Sequence, residues 1–335
     1  MNMAESSPHA RLLEPVVGAA PSPQSSPPRA RLLEVGADHA GQRIDNYLLR
    51  LLKGVPKSLV YRLLRKGEVR VNSGRIRPDY RLQHGDRVRL PPLRLPAPDE
   101  PVPPPPALLA RLKEAVLWED QELLVLNKPA GIAVHKGSGL DFGVIELARA
   151  LWPHLTSLEL AHRLDRETSG CLVLAKTPAA LRAVHAALRA GAVDKRYLAL
   201  VCGRWQYGAY EVAAPLRKVV RGGERLMEVA EPGKPARTRF QPVSIWPQAS
   251  LLEVTLATGR THQIRVHAAW CGHPVAGDDK YGDAACNQSL RDYGLRRLFL
   301  HAHSIAIALG GRELMLSAPL DEDLRRVVEQ LESGR

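Results

Sequence analysis

The sequence predicts an α+β protein in two folded parts. A small α/β module comes first, followed by a larger domain on a mixed, mostly antiparallel sheet. Three observations carry this reading. Nine prolines lie between residues 91 and 106, four of them consecutive, and such a stretch is a semi-rigid linker between domains. Ahead of it, apolar residues recur first at helical spacing and then in short alternating runs. Beyond it, short apolar strands are separated by loops of varied length more often than by regular helices, the pattern of an antiparallel sheet. The chain has 335 residues, 45% of them apolar, enough for two cores.

Residues 1–32 are rich in Ser, Pro and Ala without a sustained period, which predicts a disordered tail. The pentapeptide ARLLE occurs at 10–14 and 30–34, too few copies for a repeat architecture. The module spans 33–92. Ile44, Tyr47, Leu48, Leu51 and Leu52 fall on one helical face. Pro56 opens a second helix with the stripe Leu59, Val60, Leu63 and Leu64, and Gly67 ends it. Arg62, Arg65 and Lys66 share the neighbouring face. Val69 and Val71 alternate with Arg70 in one short strand, and Val88 and Leu90 alternate with Arg87 and Arg89 in another. Residues 41–90 hold thirteen lysines and arginines against four acids, a net +9 of the chain's +12. Charge so concentrated in one fold-sized block points to a polyanion, and to nucleic acid first.

After the linker at 93–107, the second domain runs from 108 to 332. Its strand candidates are Leu123–Leu126, Cys171–Ala175, Tyr197–Val201 and Leu252–Leu256. Pro178 to Leu188 reads as a helix with Leu181, Val184, His185 and Leu188 on one face. The four cysteines, at 171, 202, 271 and 286, match no zinc spacing and are read as reduced thiols of a cytoplasmic protein. No uncharged apolar run approaches the roughly 18 residues of a membrane span, and no secretory signal pattern opens the chain. The absence of a long apolar seam favours a monomer.

The densest chemistry is the run from His162 through Arg163, Leu164, Asp165, Arg166, Glu167, Thr168 and Ser169 to Gly170, which enters the strand at Cys171. A carboxylate at a strand mouth with cations on either side suits a nucleophile or base. A surface salt-bridge loop reads equally well from local composition. A second cluster, Thr258 to His267, follows another strand. Arg265 and His267 are presented together if it is extended and splayed apart if it is helical. A metal site made of His262, His267 and Asp165 matches no recognised ligand spacing. Lys195, Arg196 and Tyr197 begin a further strand, where an aromatic ring lies near two cations or simply packs.

These residues together resemble a family. His-Arg-Leu-Asp-x-x-Thr-Ser-Gly at 162–170 resembles the signature of the large pseudouridine synthase family that modifies ribosomal RNA. Asn127 to Gly131 with His135, Lys195-x-Tyr197, and Gly259 to His267 followed by Gly277-Asp278 and Tyr281-Gly282 resemble its other motifs. The module at 33–92 is similar to the S4-type RNA-binding domain that several members carry. Leu52–Ser58, Arg65–Asn72 and Gly137–Val144 narrow the resemblance to members acting on 23S ribosomal RNA. It covers nearly everything but the tail and linker. The tail, and Lys136 beside His135, depart from the pattern and bear on target choice rather than on the reaction.

The resemblance implies a pseudouridine synthase fold and isomerisation of uridine without cofactor or metal. It implies 23S rRNA or a large-subunit assembly intermediate as partner. Asp165 is then the essential carboxylate, Arg265 its pairing partner, and Tyr197 the ring that stacks on the flipped uracil and helps remove the C5 proton. Arg163 enters the space the base leaves. Arg62, Arg65, Lys66 and Arg70 hold phosphates, as does Lys128 unless it is a structural lysine in a turn. Two other readings use the same residues. An RNA N-glycosidase would need a paired acid and base. A ribosome-assembly factor that only binds RNA has no need of Asp165, Tyr197 and Arg265 together.

Overall fold

The computed structural model describes residues 30–52, 55–93, 103–137 and 141–334. Two compact units divide between Pro101 and Val102. Most of the segment read as a tail, and residues 94–102 of the linker, lie outside the described residues.

The first unit holds β1 (Arg31–Glu34), α1 (Ile44–Leu51), α2 (Lys57–Lys66), β2 (Arg70–Val71) and β3 (Arg87–Leu90), with its antiparallel sheet in the order β1-β3-β2. β1 was not anticipated. It is built from the second ARLLE copy and begins at Arg31, inside the segment read as disordered to residue 32. Pairing with β3 offsets the poor strand signal of its mixed sequence. Val88 and Leu90 of β3 point inward while Arg87 and Arg89 point out, as the alternation requires. Ile44, Leu48, Val60, Leu63, Leu64 and Val88 form the core. α2 ends at Gly67, whose φ of +69° is the left-handed turn that glycine adopts at little cost.

Two acids of this unit face inward. Asp45 accepts from Arg43 Nε and Nη2 (3.1 and 2.7 Å) and from the Tyr61 hydroxyl (3.0 Å), which ties α1 to α2. Asp86 accepts from Asn72, Tyr80 and the Gln83 amide. Both carboxylates are buried, so the outer surface is more basic than the net charge alone implies. Arg62, Arg65, Lys66 and Arg70 are all exposed.

The second unit begins with α3 (Pro106–Glu114), which opens inside the segment read as linker. Its elements continue as β4 (Val116–Glu119), β5 (Leu123–Lys128), α4 (Val144–Leu151), β6 (Glu159–Leu160), β7 (Ser169–Ala175), α5 (Pro178–Ala190) and β8 (Val193–Cys202). Then come β9 (Tyr210–Ala213), the hairpin β10 (Leu216–Arg221) and β11 (Glu224–Val229), β12 (Arg237–Ile245), β13 (Ala249–Leu256), α6 (Gln263–Trp270) and α7 (Ala284–Leu290). β14 (Leu300–Leu309), β15 (Arg312–Ser317) and α8 (Glu322–Glu332) complete it. The main sheet runs β4-β5-β7-β14-β8-β13-β12-β9, with β6 on β7 and β15 on β14. β7 and β14 are parallel and the sheet's other paired strands are antiparallel, so the sheet is mixed and mostly antiparallel.

β7 is buried along its whole length, because helices cover both faces. Leu172 and Leu174 belong to the cluster of Val144 and Leu147 on α4, and Val173 and Ala175 to that of Ala180 and Val184 on α5. α5 starts where Thr177 Oγ1 accepts the Ala180 amide (3.1 Å) with Pro178 in the first turn, as the sequence predicts. Among the described residues no helix is long and apolar enough to cross a membrane.

The reading of four reduced thiols is corrected. Cys202, at the end of β8, and Cys286 on α7 form a disulfide across 84 residues of sequence. Only the fold brings them together, so spacing held no sign of the pair. Cys171 and Cys271 are free, and burial pushes both thiols up to about 11, which keeps them unreactive near neutrality.

Gly170 marks the crossing of β7 and β14. Its φ is +109°, and a Cβ there would lie 2.3 Å from the Ala302 carbonyl oxygen and 2.6 Å from its nitrogen. Backbone on both sides cannot yield as a side chain can. Gly170→Ala is expected to lower unfolding stability by about 3 kcal/mol or more in urea titration. Gly191→Ala, at φ +72° with open space around it, should cost only about 1 kcal/mol.

Candidate active site

The loop between β6 and β7 carries Asp165 and is tied down on every side. His162 Nε2 accepts the Val173 amide (3.1 Å), taking the place of a strand carbonyl. The Ser169 hydroxyl pairs with His301 Nδ1 (2.9 Å), whose Nε2 meets the Ala318 carbonyl (3.1 Å). That carbonyl can only accept, so Nε2 carries the proton and Nδ1 accepts from Ser169. Arg166 exchanges two hydrogen bonds with Gly131, through its backbone carbonyl (2.9 Å) and its Nε (3.0 Å).

Lys128 belongs to this scaffold, which corrects its assignment as a phosphate contact. It is fully buried, and Nζ donates to the carbonyls of Pro129 (2.8 Å), Ile132 (2.8 Å) and Arg166 (3.0 Å). Burial pulls its pKa down to about 7. Three acceptors around one nitrogen call for all three ammonium protons, so we read it as the charged form. A lysine at a strand end looks the same in sequence whether its side chain points in or out.

The second cluster is helical, which resolves the choice left open above. On α6, Arg265 and His267 lie about 200° apart. His267 turns to the sheet, where its nitrogens meet Thr238 Oγ1 (2.8 Å) and the Ala214 carbonyl (3.0 Å). Both are taken, so His267 has no lone pair to give a metal. Gln263 fixes the turn into α6, donating to the Arg237 carbonyl and Thr238 and accepting from the Arg260 amide.

Arg265 reaches Asp165, but not as its closest partner. Its Nε and Nη2 grip Asp278 in a bidentate pair at 2.7 and 2.6 Å. The remaining Nη1 faces Asp165 Oδ2 at 3.8 Å. The expected pairing of Arg265 with Asp165 is therefore present, and Asp278 is an additional, closer partner. Asp278 also accepts the Lys280 (2.8 Å) and Tyr281 (3.1 Å) amides. Burial works against both charges, but mutual hydrogen bonding and attraction outweigh it. The Arg265 pKa moves up and that of Asp278 down. The Tyr281 ring lies under the guanidinium, 5.1 Å from its centre.

Tyr281 also links to His262, the residue before α6, held at φ +53°. The Tyr281 hydroxyl accepts the Met227 amide (2.9 Å) and lies 2.8 Å from His262 Nδ1. If the hydroxyl donates there, Nε2 carries the imidazole proton and points toward Asp165 Oδ2, 4.0 Å away. Burial first, and the Arg265 charge with it, lower the His262 pKa against the pull of Asp165, which favours the neutral ring.

A cleft of about 100 Å³ opens at Asp165, with Tyr197, Lys195, Leu256, His262 and Arg265 among its walls. Tyr197 is buried at the cleft and its pKa is pushed well up by that burial, then by the Asp165 charge. The phenol therefore stays protonated, which suits stacking and works against a role as the base for a C5 proton. Arg163 is exposed at the cleft wall. A wider cleft of about 610 Å³ also reaches Asp165, with His135, Lys280 and Arg296 on its wall. Asp165, Tyr197, Arg163 and Arg265 thus converge. Arg62, Arg65, Lys66 and Arg70 belong to the other unit. Asp278, Tyr281, His262 and Lys195 stand in recognised motifs, yet sequence reasoning gave them no role.

The chain is similar to known proteins along most of its length. Residues 122–270 match the RNA pseudouridylate synthase family model, and 42–88 match the S4 domain model. The chain is 51% identical over 305 residues to the ribosomal large subunit pseudouridine synthase C of Haemophilus ducreyi, covering 90% of this chain and 95% of that one. It is 50% identical over 314 residues to the protein of the same name from Escherichia coli, covering 92% and 98%. Among solved structures, human RNA pseudouridylate synthase domain containing 4 superimposes with a TM-score of 0.58 at 27% identity, covering 68% of this chain and 96% of that chain.

Two outcomes test the scaffold. Asp278→Asn leaves a buried guanidinium without its counter-charge and is expected to cost about 3 kcal/mol in urea unfolding. Burial holds His162 down at about 4, against 6.5 in an open chain. Between those values the unfolded chain takes up a proton that the folded chain refuses, so stability falls as pH drops from 6.5 toward 4. His162→Gln keeps an acceptor for Val173 and should remove about one proton of that dependence from melting curves.

Proposed function

The chain belongs to the RNA pseudouridylate synthase family, and from that premise we propose that it isomerises specific uridines of 23S ribosomal RNA to pseudouridine at Asp165. The observation that carries the assignment to this carboxylate is the fixed Nη1 of Arg265 facing it at 3.8 Å across a cleft that also holds Tyr197. In the reaction the N1–C1′ bond breaks, the uracil turns, C5 joins C1′, and the C5 proton leaves while N1 gains one. Nothing else is consumed. Asp165 acts on the sugar, by attack at C1′ or by removing a sugar proton. Arg265 orients it, and Tyr197 stacks on the extruded base. Arg163, exposed at the cleft wall, fills the gap the base leaves.

Extrusion costs a few kcal/mol, which binding elsewhere on the RNA must offset. The exposed Arg62, Arg65, Lys66 and Arg70 of the S4 domain support that division of labour, since phosphate contacts anchor while the cleft reads the flipped base. The partner is 23S rRNA or a large-subunit assembly intermediate, and the protein acts as a monomer in the cytoplasm. An N-glycosidase would want a second carboxylate to handle water. The nearest in sequence, Glu167, is paired with Arg166 at 3.2 Å.

Tritium release from 23S rRNA labelled at uridine C5 tests the reaction. Wild type should release it and Asp165→Asn should not, with RNA affinity changed by no more than a few fold. Release by both would remove Asp165 from the chemistry. Changing Arg62, Arg65, Lys66 and Arg70 together to Gln should lower the slope of log affinity against log salt by about three units. An unchanged slope would contradict their phosphate role.

A further inference from the structure

We propose that Lys195 is a catalytic residue that holds the carbonyl edge of the extruded uracil and takes up the negative charge the base acquires as the N1–C1′ bond breaks. This rests on the reading of the cleft as the uracil site.

Along β8 the side chains alternate, so Lys195 and Tyr197 share one face and Arg196 takes the other. The two cations have different surroundings. Arg196 is satisfied by Asp194 (2.9 Å) and Glu253 (3.4 Å). Lys195 lines the cleft with Asp165 and Tyr197 and forms no ion pair among the described residues. Its Nζ lies 3.7 Å from where a side chain on Gly259 would begin, so the amine sits against the loop that closes the cleft. Burial pulls its pKa down from the ordinary lysine value, because the cleft's own side chains give the charge little in return. An unpaired, partly buried cation is costly in the free protein and becomes useful when charge develops beside it.

The charge has a definite origin. If Asp165 attacks C1′, a C–O bond forms as C–N breaks. If Asp165 removes a sugar proton, a sugar double bond forms instead. On either route the N1–C1′ electron pair departs with the uracil and spreads over N1, O2 and O4. It is used again when C5 bonds to C1′. Residues two apart on a strand stand about 6.7 Å apart, so a ring lying on Tyr197 brings its edge within reach of a four-carbon amine on the same face. The RNA phosphates have another partner at the cleft wall, where Arg260 is exposed.

The test is single-turnover pseudouridine formation on 23S rRNA, with binding measured separately across salt concentrations. Lys195→Met should lower the saturated rate by about 100-fold, the scale for removing one group that stabilises developing charge. RNA affinity should stay within twofold, the salt slope should be unchanged, and thermal stability should be no lower. Lys195→Arg should recover part of the rate, and it judges the proposal alone if the Met variant does not fold. A Met variant within threefold of wild type overturns the proposal. So does a lost unit of salt slope with the saturated rate intact, which would make Lys195 a phosphate contact. A wild type that forms no pseudouridine would sink the proposed reaction itself, whereas an active wild type with an active Lys195→Met sinks only the lysine.

Discussion

The bidentate pair between Arg265 and Asp278 is the interaction on which the site depends. A guanidinium gripped at Nε and Nη2 has no freedom left to choose where Nη1 points, and in this protein it points at Asp165. Both partners are buried, so the pair is costly to assemble and costlier to break. Backbone amides of Lys280 and Tyr281 complete the Asp278 carboxylate, and the Tyr281 ring supports the guanidinium from below. One turn of chain thereby sets Arg265 directly and touches His262 through the Tyr281 hydroxyl.

Asp165 reaches this arrangement from the opposite side, and its loop is as constrained as the arginine. Buried Lys128 gathers three carbonyls, His162 replaces a strand carbonyl, and Ser169 is held by His301 on β14. The parallel contact of β7 and β14 at Gly170 brings these anchors together and leaves no room for a side chain at the crossing. Carboxylate and cation come from segments about a hundred residues apart, and each is positioned by its own buried polar network. Preorganisation of this kind suits chemistry in which charge develops in a small cleft.

Much of this was legible in the sequence, for identifiable reasons. Alternation exposed the strands around Leu123, Cys171, Tyr197 and Leu252, and helical spacing with Pro178 exposed α5, because those signals are local. Asp165, Tyr197 and Arg265 stood out through motif resemblance. What sequence could not supply was non-local. β1 is a strand only because β3 is there to pair with it. Cys202 and Cys286 meet across 84 residues. Lys128 and Arg163 are both cations beside the motif loops, yet one points wholly inward and the other out. Asp278 stands in a recognised motif, but only the fold shows that its carboxylate grips Arg265 of α6. The pairing of Arg265 with Asp165 was anticipated, whereas its closer partner Asp278 was not, because only the fold brings the two side chains into one fork.

The central claim is that geometry, not charge alone, makes Arg265 effective. The single-turnover isomerisation rate of Arg265→Lys tests it most directly. Lysine keeps a positive charge between Asp278 and Asp165 but cannot grip the first as a fork while facing the second. The saturated rate should fall by roughly 10- to 100-fold, the range for losing an orienting partner, with RNA affinity unchanged. A rate within twofold of wild type would contradict it, because a point charge would then serve as well as the fixed fork.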